Sequence, residues 1–308
     1  MFRLTRAALA VGATVGAFAF AGPAAAGEPP ASDLTVSTGR AQLTLAEGGG
    51  YAGVLPVRLT YRGQAAASVD VIVAQPAGIR FAGEQDLQLQ TCFPDAAHGD
   101  RALRCTLMGG MTNGEVRDLR IRFTSLAGPQ AKTRLSEPAT ITVENVGGPA
   151  DASPSNNQAQ FRARLQGTGN GVQPGTYQPA ATPDLSVQAG PTKFTSNGDG
   201  TYTGELVVTV SGATDAEHDE VGIALAGVAG TPRVLGQPIG CFGSPEWPCR
   251  IDPVAKGTQR VVTIVIWTTQ PPADGAQLTV SVTAMRSLAA VADANPADNA
   301  TTSTVHVN

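Results

Sequence analysis

The sequence predicts an all-β protein: two antiparallel β-sandwich domains in tandem behind a cleaved signal peptide. Three observations predict it. Apolar side chains alternate with a two-residue period, the chain repeats itself at a shift of 151 residues, and no 3.6-residue apolar stripe of helical length follows the first 26 residues.

Composition sets the bounds. Of 308 residues, 36 are Gly and 22 are Pro. That is close to a fifth, against a usual share of about 12%, so the chain is rich in turns. It stays short of the roughly 25–30% that marks low-complexity disorder. With 42% hydrophobic and only 15% charged residues, there is ample material for a core and no polyelectrolyte character.

The first element is an export address. Arg3 and Arg6 form a basic start, Ala7 to Phe20 is uncharged, and Ala24, Ala25 and Ala26 supply small side chains for cleavage before Gly27. The uncharged run of 14 residues is too short for a spanning helix, which needs about 20. Residues 1–26 therefore read as a signal peptide, and no later segment reaches spanning length. No lipid-bearing Cys follows the cleavage point, and no sorting tail is expected after Val305 to Asn308. The expected location is extracellular, with the bacterial cell envelope included. Loss of Arg3 and Arg6 takes the formal net charge from −4 to −6. A mildly acidic chain lacks the basic footprint that nucleic acid requires.

The repeat defines the next elements. Asp33-Leu34-Thr35-Val36 recurs as Asp184-Leu185-Ser186-Val187, and Tyr51, Gly53, Leu55, Val57 and Leu59 fall on Tyr202, Gly204, Leu206, Val208 and Val210. Cys92-Phe93 matches Cys241-Phe242, and Cys105 matches Cys249. Asp151 to Asn157 matches Asp293 to Asn299, with the shift shrinking to 142 as loop deletions accumulate. The expected domains are 33–165 and 184–308, joined by a Gly/Pro-rich linker over 166–183.

Within each unit the runs read as strands. Leu55, Val57, Leu59 and Tyr61 alternate with Pro56, Arg58, Thr60 and Arg62; Leu119, Ile121 and Phe123 alternate with Arg120, Arg122 and Thr124. The second unit repeats this in Leu278, Val280 and Val282. Asn197-Gly198-Asp199-Gly200 reads as a hairpin turn. Pro56 cannot donate to a ladder, which predicts an edge or a bulge there.

The opening Asp-Leu-(Thr/Ser)-Val and the closing Asp-x-x-Pro-x-(Asn/Asp)-Asn before a last strand resemble bacterial Ig-like surface repeat domains. The relatives are the conserved-repeat domains of unknown function and the CARDB cell-adhesion-related domains. The resemblance covers both units and departs from the pattern in the cysteine pair that each carries. It implies an Ig-like fold, envelope or extracellular residence, and a spacer or adhesion role without catalysis. It implies no substrate.

Outside the cytoplasm four cysteines predict two disulfides. Because a duplicated unit should carry its own bridge, the expected pairs are Cys92–Cys105 and Cys241–Cys249. The rival reading, metal or redox chemistry, would want Cys-x-x-Cys or His partners. The second loop, Cys241-Phe-Gly-Ser-Pro-Glu-Trp-Pro-Cys249, offers Phe242 and Trp247 as candidate binding residues for a protein or a glycan. Against that, Phe242, like Phe93, is expected to fold inward beneath its disulfide, and Trp247 to cover the sandwich end.

Asp293, Asn295, Asp298 and Asn299 are candidate oxygen ligands for Ca²⁺ in a compact turn. The alternative is that these side chains cap backbone groups in a turn pinned by Pro. No catalytic residue and no cofactor are expected. His98, His218 and His306 are scattered, Ser244 lacks a nucleophile elbow, and Gly167 to Gly171 precedes no helix. The acidic run Asp215, Glu217, Asp219 and Glu220 around His218 reads as a solvated turn. A secreted hydrolase or a carbohydrate-binding accessory module is the alternative function.

Overall fold

The alternating segments form strands in the computed structural model, which describes residues 32–82, 88–227, 231–235, 240–241 and 249–308. The signal-peptide segment 1–26 lies outside them. Among the described residues there is no α-helix, only three short 3₁₀ turns between strands. The protein is all-β.

In the strand Tyr51–Arg62, Leu55, Val57, Leu59 and Tyr61 are buried while Pro56, Arg58 and Arg62 face water. In its neighbour Val116–Ser125, Leu119, Ile121 and Phe123 are buried while Arg120 and Arg122 are exposed. One face of each strand thus enters a core and the other is solvated, as a sandwich requires. Among the described residues, the first half, 32–182, builds an eight-stranded and a five-stranded sheet, and the second a ten-stranded one whose two layers meet through Ala300–Val307. Each half has its own apolar core, one running from Leu34 to Tyr177 and the other from Leu185 to Val305. Residues Ala31–Asn308 nonetheless form one compact unit.

The repeat holds down to register. Leu34 lies opposite Tyr61 and Leu185 opposite Gly212; Leu55 lies opposite Ile121 and Leu206 opposite Ile264. Each half closes in the same way. In the first, Gln158–Phe161 pairs antiparallel with Ala139–Val146 in one sheet; past Arg162, Ala163–Leu165 pairs parallel with Ala41–Leu45 in the other. In the second, Ala300–Val307 pairs through Thr304 with Gln277–Arg286 and from Val305 onward, in parallel, with Thr192–Ser196. In each half the chain thus passes from one layer to the other near its close, which holds the sandwich shut.

Gly53 shows why a small residue stands at one such contact. A Cβ there would lie 1.9 Å from the Gln42 carbonyl oxygen, so any side chain would push the Ala41–Leu45 strand away.

Two expectations change. Pro56 is not on an edge strand; it lies in the middle of the sheet. It falls where the ladder on one side passes from Asp33–Thr38, which ends opposite Val57, to Ala41–Leu45, which begins opposite Val54. The missing N–H therefore meets a break between two partners. The segment 166–183, expected as a linker, is built into the first half. Val172–Thr176 pairs with Thr133–Leu135, and the Tyr177 ring is fully buried in the first core with the Arg134 guanidinium over its face at 5.7 Å. Its Gly and Pro content signalled turns, while one aromatic residue decided its packing.

Candidate functional site

The residues with the most chemistry converge where the two halves meet. The acidic run between the strands Tyr202–Gly212 and Glu220–Ala226 is no solvated turn. Asp215 is buried, and His218 is only 1% exposed. Asp215 accepts from the Tyr177 hydroxyl at 3.1 Å and the Ala180 N–H at 2.9 Å. Glu217 accepts from both terminal nitrogens of Arg101 at 2.6 Å and from the Gly78 N–H at 2.8 Å. Asp219 pairs with Arg80 and accepts from the Ser287 N–H at 2.7 Å. Three carboxylates of the second half thus grip the first half or their own neighbouring hairpin. Charge-assisted, bidentate bonds of this kind are the strong ones.

Burial, and then the charge of Asp215, pushes the Tyr177 phenol above its ordinary range, so it stays a donor. The Arg80 guanidinium also donates to the His218 carbonyl at 2.7 Å. The charges that line the open cleft beside this junction, about 450 Å³ in volume, are already matched: Arg80 with Asp219, and Arg260 with Asp252 at 3.5 Å.

The structure joins Cys92 to Cys105 and Cys241 to Cys249, and no described cysteine is free. Phe93 corrects an expectation, because its ring is 63% exposed. Cys92 lies opposite Cys105 and Phe93 opposite Arg104, so the two-residue period that turns Cys92 toward its partner turns Phe93 outward. Phe242 and Trp247 lie outside the described residues.

The Asp-x-x-Pro segments are structural turns. Asp151 accepts from the Leu34 N–H at 2.8 Å and the Ser153 N–H at 2.7 Å; Asp293 does the same with Leu185 at 2.9 Å and Asn295 at 2.8 Å. The closing turn of each half is thereby tied to the Asp-Leu that opens it, which is why the two motifs recur together. Of the four candidate calcium ligands, Asp293 and Asp298 come together with Asp184, a residue not in that set, their oxygens within 4.8 Å. Asn295 instead donates its amide to Asp298 at 2.9 Å. Asp184 matches Asp33 in the repeat, the signal that could have included it.

Burial and then the charges of Asp293 and Asp298 hold the Asp184 carboxyl above its usual range. In the first half an amide stands in place of the third acid, and Asn156 donates to Asp33 at 2.9 Å. A folded-state pKa raised in this way favours folding at low pH and is lost as pH rises through it. Asp298→Asn is therefore expected to raise the neutral-pH melting temperature, by up to about 1 kcal/mol of stability. A melt that falls or stays put would remove the repulsion argument.

The remaining histidines stand apart. His98 lies 3.0 Å from Asp95 and 3.3 Å from Glu144, within a surface network around Arg104. His306 is exposed and 3.9 Å from Asp274. Arg80, Arg101 and Tyr177, central to the junction, carried no mark in the sequence that tied them to the acidic run.

No protein-family model matches this chain, and no curated protein does. Among solved structures, the N-terminal domain of PorA is 14% identical over 45% of this chain and all of its own, with a TM-score of 0.25. A serine-rich repeat protein (Srr2) from Streptococcus agalactiae is 10% identical, covering 88% of this chain and 90% of its own, with a TM-score of 0.23. At those scores neither likeness carries an argument about this chain.

Proposed function

We propose that the protein is an exported, non-catalytic module of a bacterial envelope or its surroundings, a stiff spacer or adhesion element built of two related sandwiches. The observation that supports this reading is the junction. Asp215, Glu217 and Asp219 are each held by donors from the surrounding fold, which suits a part that holds two bodies at a set spacing. Two disulfides suit an oxidising compartment. The partner, on this reading, is a protein or glycan of the envelope met through the loop that carries Trp247.

The test passes the purified, exported protein over immobilised cell-wall polysaccharide and over peptide libraries, reading retention and cleavage together. Retention without cleavage, weakened by Trp247→Ala, is the expected result. Retention that Trp247→Ala leaves unchanged would exclude that loop. Cleavage of any substrate by the purified protein would overturn the non-catalytic reading in favour of a hydrolase.

A further inference from the structure

His218 lies inside the junction and is the one buried histidine among the described residues. Its Nδ1 is 3.0 Å from the Ala216 carbonyl oxygen, and its Nε2 is 3.2 Å from the Val254 backbone nitrogen. Only one protonation state satisfies both contacts. The Val254 N–H needs a lone pair at Nε2, so the single ring proton is on Nδ1 and the imidazole is neutral. A proton added to Nε2 would set a donor against a donor at a residue only 1% exposed to solvent.

The surroundings decide how readily that happens. Arg80 approaches from the first half, and Arg286 from the end of the Gln277–Arg286 strand; both oppose a second positive charge, while Asp219 favours it. Glu217 is committed to Arg101, and Asp215 to Tyr177 and Ala180. On the Val254 side, Asp252 and Arg260 pair with each other, and Lys256 is exposed. Burial is the largest effect, and it holds the imidazole below its ordinary range.

We propose that His218 is a pH latch on the junction: one proton taken from solvent at Nε2 breaks the Val254 bond and frees the 215–219 segment, loosening the grip of one half on the other in mildly acidic surroundings. The segment is suited to transmit the change. The residues either side of His218 carry the bonds from Glu217 to Arg101 and Gly78, and from Asp219 to Arg80 and Ser287. The Arg286 guanidinium donates to the Glu217 carbonyl at 2.5 Å, so the hairpin after it is tied to the same few residues. That hairpin holds Ser287 and Leu288 at φ of 49° and 69°, a left-handed turn that non-glycine residues adopt at some cost and that these bonds help to hold.

The sign follows from linkage. A histidine whose folded pKa is depressed contributes stability that is complete above its unfolded value, about 6.5, and is lost progressively as pH falls below it. Below that pH the opening equilibrium should rise about tenfold for each pH unit.

The experiment is amide hydrogen exchange on the full chain from pH 7.5 to 5. Protection at Val254, Ser287 and Gly78 is expected to fall about tenfold per unit below about pH 6.5, while Leu55, in the core of the half that does not contain His218, keeps its own. In His218→Gln, which keeps an acceptor but cannot titrate, the fall should vanish. A fall that persists in the variant, that spreads equally to Leu55, or that is missing from the unaltered protein would overturn the latch. Should the variant not fold, the imidazole signals of the unaltered protein decide: a His218 that titrates at or above the ordinary imidazole value of about 6.5 rules the proposal out.

Discussion

Phe123→Ala is expected to destabilise the first half by about 3–5 kcal/mol, read as a lowered urea midpoint with an unchanged slope. The ring is fully buried. It packs edge-to-face with Phe81 at 5.6 Å between centroids, and it tilts against Phe161 at 5.8 Å. Phe161 is the last residue of Gln158–Phe161 before the chain passes to the opposite sheet. Removing Phe123 therefore leaves a cavity at the point where the two sheets are joined, beside a strand whose position is set from both sides. Such a site cannot collapse without moving a sheet, which is the condition for the upper part of the range. A loss under about 1.5 kcal/mol would mean that the core relaxes there and that this packing does not hold the sandwich.

Glu217→Ala should separate the unfolding of the two halves. The Glu217 side chain is 13% exposed and that of Arg101 37%. Deleting the carboxylate leaves a partly buried guanidinium with its backbone acceptors alone, and it strands the Gly78 N–H. The expected cost is about 2–4 kcal/mol, reduced from that of a fully buried pair because Arg101 keeps some water. Each half has its own core, so the heat-capacity trace should change from one transition to two. A single transition at an unchanged midpoint would show that Glu217 contributes little to the coupling. Glu217→Gln, which keeps an acceptor for Gly78 but loses the charge, should lie between the two.

How far the chain could be read depended on whether the deciding force was local. Alternation in Leu55 to Tyr61 and in Leu119 to Phe123 predicted strands because a two-residue period has only one geometric meaning. The repeat predicted two related units, and their registers match because loops absorb deletions and ladders do not. Phe93 was misread where the two kinds of reasoning disagreed. Its recurrence beside a cysteine suggested a buried ring, yet the period that carried the other strands already turned it outward, opposite Arg104. The 215–220 run failed for another reason. Acidic clusters are usually solvated, and what buries this one is Arg80, Arg101 and Tyr177, some forty to nearly one hundred and forty residues away in sequence. Contacts across that separation leave no period and no motif. The turn at Asp293 was legible as a cap, but its third carboxylate, Asp184, was visible only through the repeat.

The strand that passes between layers in each half has a mechanical consequence. Ala163–Leu165 runs parallel to Ala41–Leu45, and Val305 to Val307 runs parallel to Thr192–Ser196. In a parallel pair, the leading end of one strand and the trailing end of the other lie at opposite ends. A pull between the start of Ala41–Leu45 and the end of Ala163–Leu165, or between Thr192 and Val307, therefore drags the two strands past each other in shear, loading all their hydrogen bonds together. Antiparallel strands pulled from the same end would peel apart one bond at a time. A chain tethered at one end and tugged at the other meets its resistance at the strand that closes each sandwich.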